Sequence, residues 1–138
     1  MNWLEKIADS LIESKELQFI INKWKTNIPQ LVLYVYETEK RVVLSSLIIP
    51  NKLRKQGLGS QIMTDLTNYA DQVGKRMELS PGVKDSYTGT TSINRLIKFY
   101  KRFGFFRNRG RYKDYSTSET MLRNPQKNLE IVPDTEVV

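Results

Sequence analysis

Val42-Val43-Leu44-Ser45-Ser46-Leu47-Ile48-Ile49-Pro50, followed closely by Arg54-Lys55-Gln56-Gly57-Leu58-Gly59-Ser60, decides how this chain folds. The first run is apolar at odd and even positions alike, which predicts a central strand over 41–49 covered on both faces. Pro50 ends it, because its ring removes a ladder donor. Beyond the glycine-bearing loop, Ile62, Leu66, Tyr69, Ala70 and Val73 recur at helical spacing, with Gly74 where a C-terminal cap belongs. Strand, loop and helix in that order make a candidate anion site. The first helical turn offers amides without intrahelical acceptors at the positive end of the helix dipole. Glycine at 57 and 59 lets the backbone approach an anion with no β-carbon in the way. The amides from Gln56 to Ser60, Leu58 and Gly59 among them, can then face pyrophosphate oxygens, while Arg54 and Lys55 add charge at the rim. A P-loop is excluded, since no Gly-Lys-Ser/Thr follows. A Rossmann site lacks its third glycine and a parallel feeding strand.

Upstream, residues 31–36 are rich in β-branched and aromatic side chains and join 41–49 through Glu37-Thr38-Glu39-Lys40, which predicts an antiparallel hairpin. Residues 2–26 carry a helical period that breaks phase near 13–16, predicting two short helices stopped by Pro29. Downstream, 76–80 reads as a short strand ending at Pro81-Gly82, and 83–91 as a polar loop. A second amphipathic helix carries Ile93, Leu96, Ile97, Tyr100 and Phe103, stopped by Gly104. Phe105-Phe106 and the stretch 115–122 read as two last strands. The expected architecture is a mixed α/β (α+β) sheet flanked by helices. We expect one compact domain over 1–124, with N-terminal helices in 1–28, a core over 31–123 and a polar tail from 125 to 138.

The 138 residues suffice for one core, and none is Cys or His. That removes a Cys nucleophile, a Ser-His-Asp triad and an ordinary zinc site, so no metal is expected. A general base must then be Asp, Glu, Tyr, Lys, a terminus or relayed water, and reactivity is best borrowed from a cofactor. No apolar run is long enough to span a bilayer, and no targeting segment is visible, so the expected location is cytoplasmic. The net charge is +7, and eight basic residues lie between Arg95 and Lys113 without one acid. Such a block suits a nucleic acid, an acidic protein or a phosphorylated cofactor, or else forms a solvated face.

Forty residues after the loop comes Phe99-Tyr100-Lys101-Arg102-Phe103-Gly104-Phe105. With it the chain resembles the GNAT superfamily of N-acetyltransferases. The family's Arg/Gln-x-x-Gly-x-Gly/Ala loop is met by Arg54, Gly57 and Gly59, and its Tyr-x-x-x-Gly-Phe ending by Tyr100, Gly104 and Phe105. The run Asn108–Asp114 with Ser118-Glu119-Thr120-Met121 also resembles a compact subgroup found in phages and other mobile elements, whose location would be the host cytoplasm. The resemblance implies a mostly antiparallel sheet with a V-shaped splay between its two central strands, and acetyl-CoA as co-substrate. It places pantetheine along the backbone of Leu47, Ile48 and Ile49, and pyrophosphate on the Arg54–Ser60 loop. A strand amide near Ile48 would polarise the thioester carbonyl. Tyr100 would protonate the departing thiolate, whereas its helical register alone makes it a core aromatic.

Two positions depart from the family pattern. Lys55 stands where a glycine usually follows the arginine, and the family's asparagine falls on Ile93, with Asn94 adjacent as the substitute. No acid occupies the strand 41–49, so Glu78, Asp114 and Glu119 are the base candidates. Glu78 comes first because its strand borders the slot. The leading expectation is acetyl transfer to a primary amine on an unidentified acceptor, by a monomer or homodimer. The alternative is an inactive module on the same scaffold that binds nucleic acid or an acidic partner through 95–113.

Overall fold

The computed structural model describes residues 11–82 and 93–127. Ser14 starts the first described helix, α1 (Lys15–Asn27), its Oγ accepting from the Leu17 amide at 3.2 Å. The phase break in the sequence is this cap. Residues 11–13 are not helical, and the Ile12 amide instead donates to the Glu37 carbonyl at 2.8 Å. The rest of the expected N-terminal helix, the loop 83–91 and most of the tail lie outside the described residues.

A hairpin follows, of β1 (Val32–Glu37) and β2 (Arg41–Ile48). Thr38 shapes its turn, its Oγ1 accepting from the Lys40 and Arg41 amides. A short 3₁₀ turn (Asn51–Leu53) leads through the loop to α2 (Leu58–Val73), closed by Gly74 at φ 70°. Then come β3 (Arg76–Leu79), α3 (Ile93–Lys101), β4 (Phe106–Arg107) and β5 (Met121–Arg123). The fourth strand is shifted by one residue from the expected Phe105-Phe106, the last is shorter than expected, and 115–120 is loop rather than strand. Side chains take several of its polar groups: the Ser116, Glu119 and Thr120 amides donate to Asp114 Oδ1, Thr117 Oγ1 and Ser80 Oγ, and Asn108 Nδ2 donates to the Glu119 carbonyl.

The five strands run in the order β1-β2-β3-β5-β4. All neighbours are antiparallel except β2 and β3, which are parallel. The sheet is therefore mixed and mostly antiparallel. Its core face carries Leu33, Val42, Leu44, Met77, Leu79 and Met121, and the helices α1 and α2 bring Leu17, Ile21, Trp24, Ile62, Met63 and Leu66 into the same cluster. Tyr100 and Phe105 join it from the far end of α3.

Two irregularities shape the end of β2. First, the β1 register skips Ser45, since Tyr34 pairs Ser46 while Val35 pairs Leu44. This bulge turns Leu47 to the face of its partner Leu33. Second, β3 pairs with β2 only over 41–44, against 76–79. On that edge residues 45–48 have no strand neighbour among the described residues. The two central strands part there. Among the described residues no helix is long and apolar enough to cross a membrane.

Candidate active site

The parted strand, the loop and α3 enclose a cavity of about 470 Å³. Leu47, Ile48 and Ile49 line it from the end of β2, and Arg54, Lys55, Gly57, Leu58, Gly59 and Ser60 from the loop and first helical turn. Tyr100 reaches it from α3. Ten of the residues read from the sequence thus share one wall system. Gln56 and Asn94 are not among the lining residues, and both side chains are exposed.

Local chemistry explains the shape of the loop. Arg54 folds back, its Nε donating to the Ile49 carbonyl at 2.9 Å, which clasps the loop to the end of the strand. Lys55 takes φ 65° and Gly57 φ 79°, so the chain passes through left-handed conformations twice in three residues. The Gln61 amide makes the first helical bond, to the Gly57 carbonyl at 3.1 Å. The amides of Leu58, Gly59 and Ser60 precede it and have no intrahelical acceptor, and they lie beside the cavity at the positive end of α2. Gly59 is a contact position: a β-carbon there would come within 3.3 Å of Ile49 Cδ1 and 3.4 Å of the Phe99 ring. The absence of that carbon lets strand, helix start and α3 approach one another.

The wall supplied by α3 was only partly legible. Arg95, Phe99 and Arg102 also line the cavity. They follow an i, i+4, i+7 stripe beside the apolar stripe that contains Leu96 and Tyr100, and that second period was the available signal. Arg102 lies over the Phe99 ring at 5.3 Å, and Phe99 meets Tyr100 edge-on with centroids 5.1 Å apart. With Arg54 and Lys55, Arg95 and Arg102 bring four cations to the cavity lining, beside the apolar Leu47, Ile49, Leu53 and Leu96.

Glu78 does not line this cavity. It is fully buried on the opposite face of the sheet, paired with Arg76 and, at 3.4 Å, with Arg41, and it accepts from Thr117 Oγ1 at 2.6 Å. That face holds a second cavity of about 340 Å³, lined by Tyr36, Thr38, Arg41, Glu78, Thr117 and Glu119 among others. Glu78 stands opposite Val43 in the β2–β3 ladder, one residue before the pairing ends. The other two acids lie nearby: Asp114 pairs with Arg76 at 2.8 Å, and Glu119 accepts from Ser80 Oγ at 2.8 Å. Hydrogen bonds from Ser116 and the Arg76 guanidinium hold the Asp114 carboxyl down at about 2. Among the described residues no group of three acids is placed to hold a metal ion.

No protein-family model matches the chain, and no curated protein matches it. Among solved structures it is similar to a candidate N-acetyltransferase from Lactobacillus plantarum, at 16% identity and a TM-score of 0.43, over 70% of this chain and 60% of that one. It is similar to a candidate GNAT-family acetyltransferase from Bacteroides thetaiotaomicron, at 15% identity and a TM-score of 0.41, over 76% of this chain and 60% of that one. Chaetomium thermophilum Naa20 in complex with a bisubstrate analogue is a third, at 15% identity and a TM-score of 0.42, over 86% and 77%. The chain spans 60% of the length of the first two. Likeness at this level carries no function across. The chemistry has to come from the residues themselves.

Proposed function

We propose that the chain is a GNAT-type N-acetyltransferase that moves an acetyl group from acetyl-CoA directly to a primary amine. The observation that carries this reading is the convergence on one cavity of three features: helix-start amides without an intrahelical acceptor, a strand edge with no strand neighbour among the described residues, and Tyr100. The fit to the cofactor follows its parts. Diphosphate oxygens suit the amides of Leu58 to Ser60 with Arg54 and Lys55 at their side. The amide groups of a pantetheine arm suit the open edge of β2 at Leu47 and Ile48, as an added strand would. Bound there, acetyl-CoA supplies an activated acyl group on a good leaving thiolate.

The chain's own groups do the rest. A β2 amide near Ile48 donates toward the carbonyl oxygen as charge builds on it. Tyr100 holds a proton at its phenol for the departing sulfur. As the amine's C–N bond forms and the C–S bond breaks, the nitrogen gives up one proton. We assign that proton to Glu78 through water, because Glu78 lies one residue below the point where the strands part. Its ion pairs with Arg41 and Arg76 fix the carboxylate while it does so.

Thermal unfolding with acetyl-CoA or CoA tests the cofactor assignment. At 100 times the dissociation constant, ligand should add about 2.7 kcal/mol of stability. No shift with either would overturn the reading. On the same samples, Glu78→Gln should keep the thermal shift but lose about a hundredfold in turnover. Turnover close to that of the wild type would reduce Glu78 to a structural ion pair.

A further inference from the structure

From the end of β4 toward β5, residues 107–115 line neither the cofactor cavity nor the one beside Glu78, yet they are built with care. Asn108 is buried at its root and closes the loop through the Asp114 amide and the Asp114 and Glu119 carbonyls, while its own amide donates to the Thr120 carbonyl at 2.8 Å. Asp114 caps Ser116 and pairs with Arg76, tying the root to β3. Above this fixed base Arg107, Arg109, Arg111 and Lys113 are all exposed, and among the described residues no carboxylate pairs with any of them. Asp114, the nearest acid in sequence, is already committed to Arg76. Two tyrosines stand among these cations with almost their whole surface in water, Tyr112 at 90% exposure and Tyr115 at 82%. Lys113 Nζ lies 5.0 Å from the Tyr115 ring, so cation and ring face are presented together.

We propose that the loop 107–115 is a docking surface for single-stranded nucleic acid. Four uncompensated cations alone would suit any polyanion. The exposed rings decide between partners, since unpaired bases stack on aromatic faces and phosphates lie beside basic side chains. An acidic peptide would use the charges and leave both phenols idle. A duplex would keep its base faces inside the stack. The fixed root lowers the entropy lost when the loop meets its partner. None of these four cations lines the cofactor cavity, so this surface does not depend on the acetyl-CoA reading.

Fluorescence anisotropy of the full chain with labelled oligo-dT and oligo-U of about 12 nucleotides tests the proposal. With four phosphates neutralised, the logarithm of affinity should fall with the logarithm of salt at a slope of about −3 between roughly 50 and 200 mM. Tyr112→Ala/Tyr115→Ala should weaken binding about tenfold or more with the slope kept. Arg109→Glu/Arg111→Glu should flatten the slope. All four substituted positions are exposed, and both variants should keep the thermal shift with acetyl-CoA, which separates this surface from the cofactor site. Three results would overturn the proposal: no binding at the lowest salt, binding indifferent to the tyrosines, or equal competition by a polyglutamate peptide, which would make the partner an acidic protein.

Discussion

At φ 65°, Lys55 holds a left-handed conformation that an L side chain enters at about 1 kcal/mol or more. The resemblance to GNAT loops marked this position as unusual, since glycine is the common residue there. The backbone supplies the reason for that preference. The lysine also lines the cavity, so its side chain has something to offset the strain. Lys55→Gly should therefore separate the two effects. Stability without ligand should rise by about 1 kcal/mol, less the entropy that glycine adds to the unfolded chain. Affinity for acetyl-CoA should fall about three- to fivefold with the lost cation. Differential scanning fluorimetry with a ligand titration reads both, and a fall in both together would mean that Lys55 also holds the loop in shape. The clasp from Arg54 to the Ile49 carbonyl had no comparable signal. Nothing in an arginine's place in the sequence tells whether it points at a ligand or back at its own strand.

Among the elements, α2 is tied by side-chain bonds to three others, α1, β1 and β5. Its Asp65 accepts from Trp24 Nε1 and Lys23 on α1, and its Asp71 takes Arg123 of β5 at 2.7 Å and 3.0 Å. Between them Tyr69 donates to Glu37 at the end of β1 and is hydrogen-bonded to Ser14, the cap of α1, at 2.7 Å. Lys75 closes this knot on Glu37 and the Thr38 carbonyl. Burial and then the Glu37 carboxylate push the Tyr69 phenol up to about 12. The sign follows from linkage. An acid raised in the folded state contributes fully below its unfolded value, near 10, and that contribution disappears as pH climbs toward 12. Urea midpoints should show the wild type losing on the order of 2 kcal/mol over that range relative to its pH 9 value. Tyr69→Phe should lack the step. Elements were legible where a period was sustained. The helix α2 keeps its period over 16 residues, and β1 and β2 are runs rich in apolar residues over six and eight positions. The bulge at Ser45 was not legible, because a strand apolar on both faces hides a change of phase. The stretch 115–120 reads as strand in the sequence, but the side chains of Asn108, Asp114, Thr117 and Ser80 claim its backbone groups.

At the scale of the whole molecule the sheet has two unlike faces. One is packed by α1 and α2. The other buries Glu78 among Arg41, Arg76 and Thr117, in contacts that span up to 39 positions in the chain. Distance in sequence is why Glu78 could be placed on its strand while the partners around it, Arg41 and Thr117, could not be read. The split between β2 and β3 has a further consequence, which concerns the protein in storage rather than at work. A strand edge with open amides and carbonyls is a template for another chain, and proteins normally shield such edges. Among the described residues the shield is the recess formed with α3 and the loop, and a bound cofactor would cover what remains. The ligand-free protein should therefore be the form that self-associates. Light scattering during incubation should rise faster without CoA than with it, and equal rates would mean that the recess alone protects the edge.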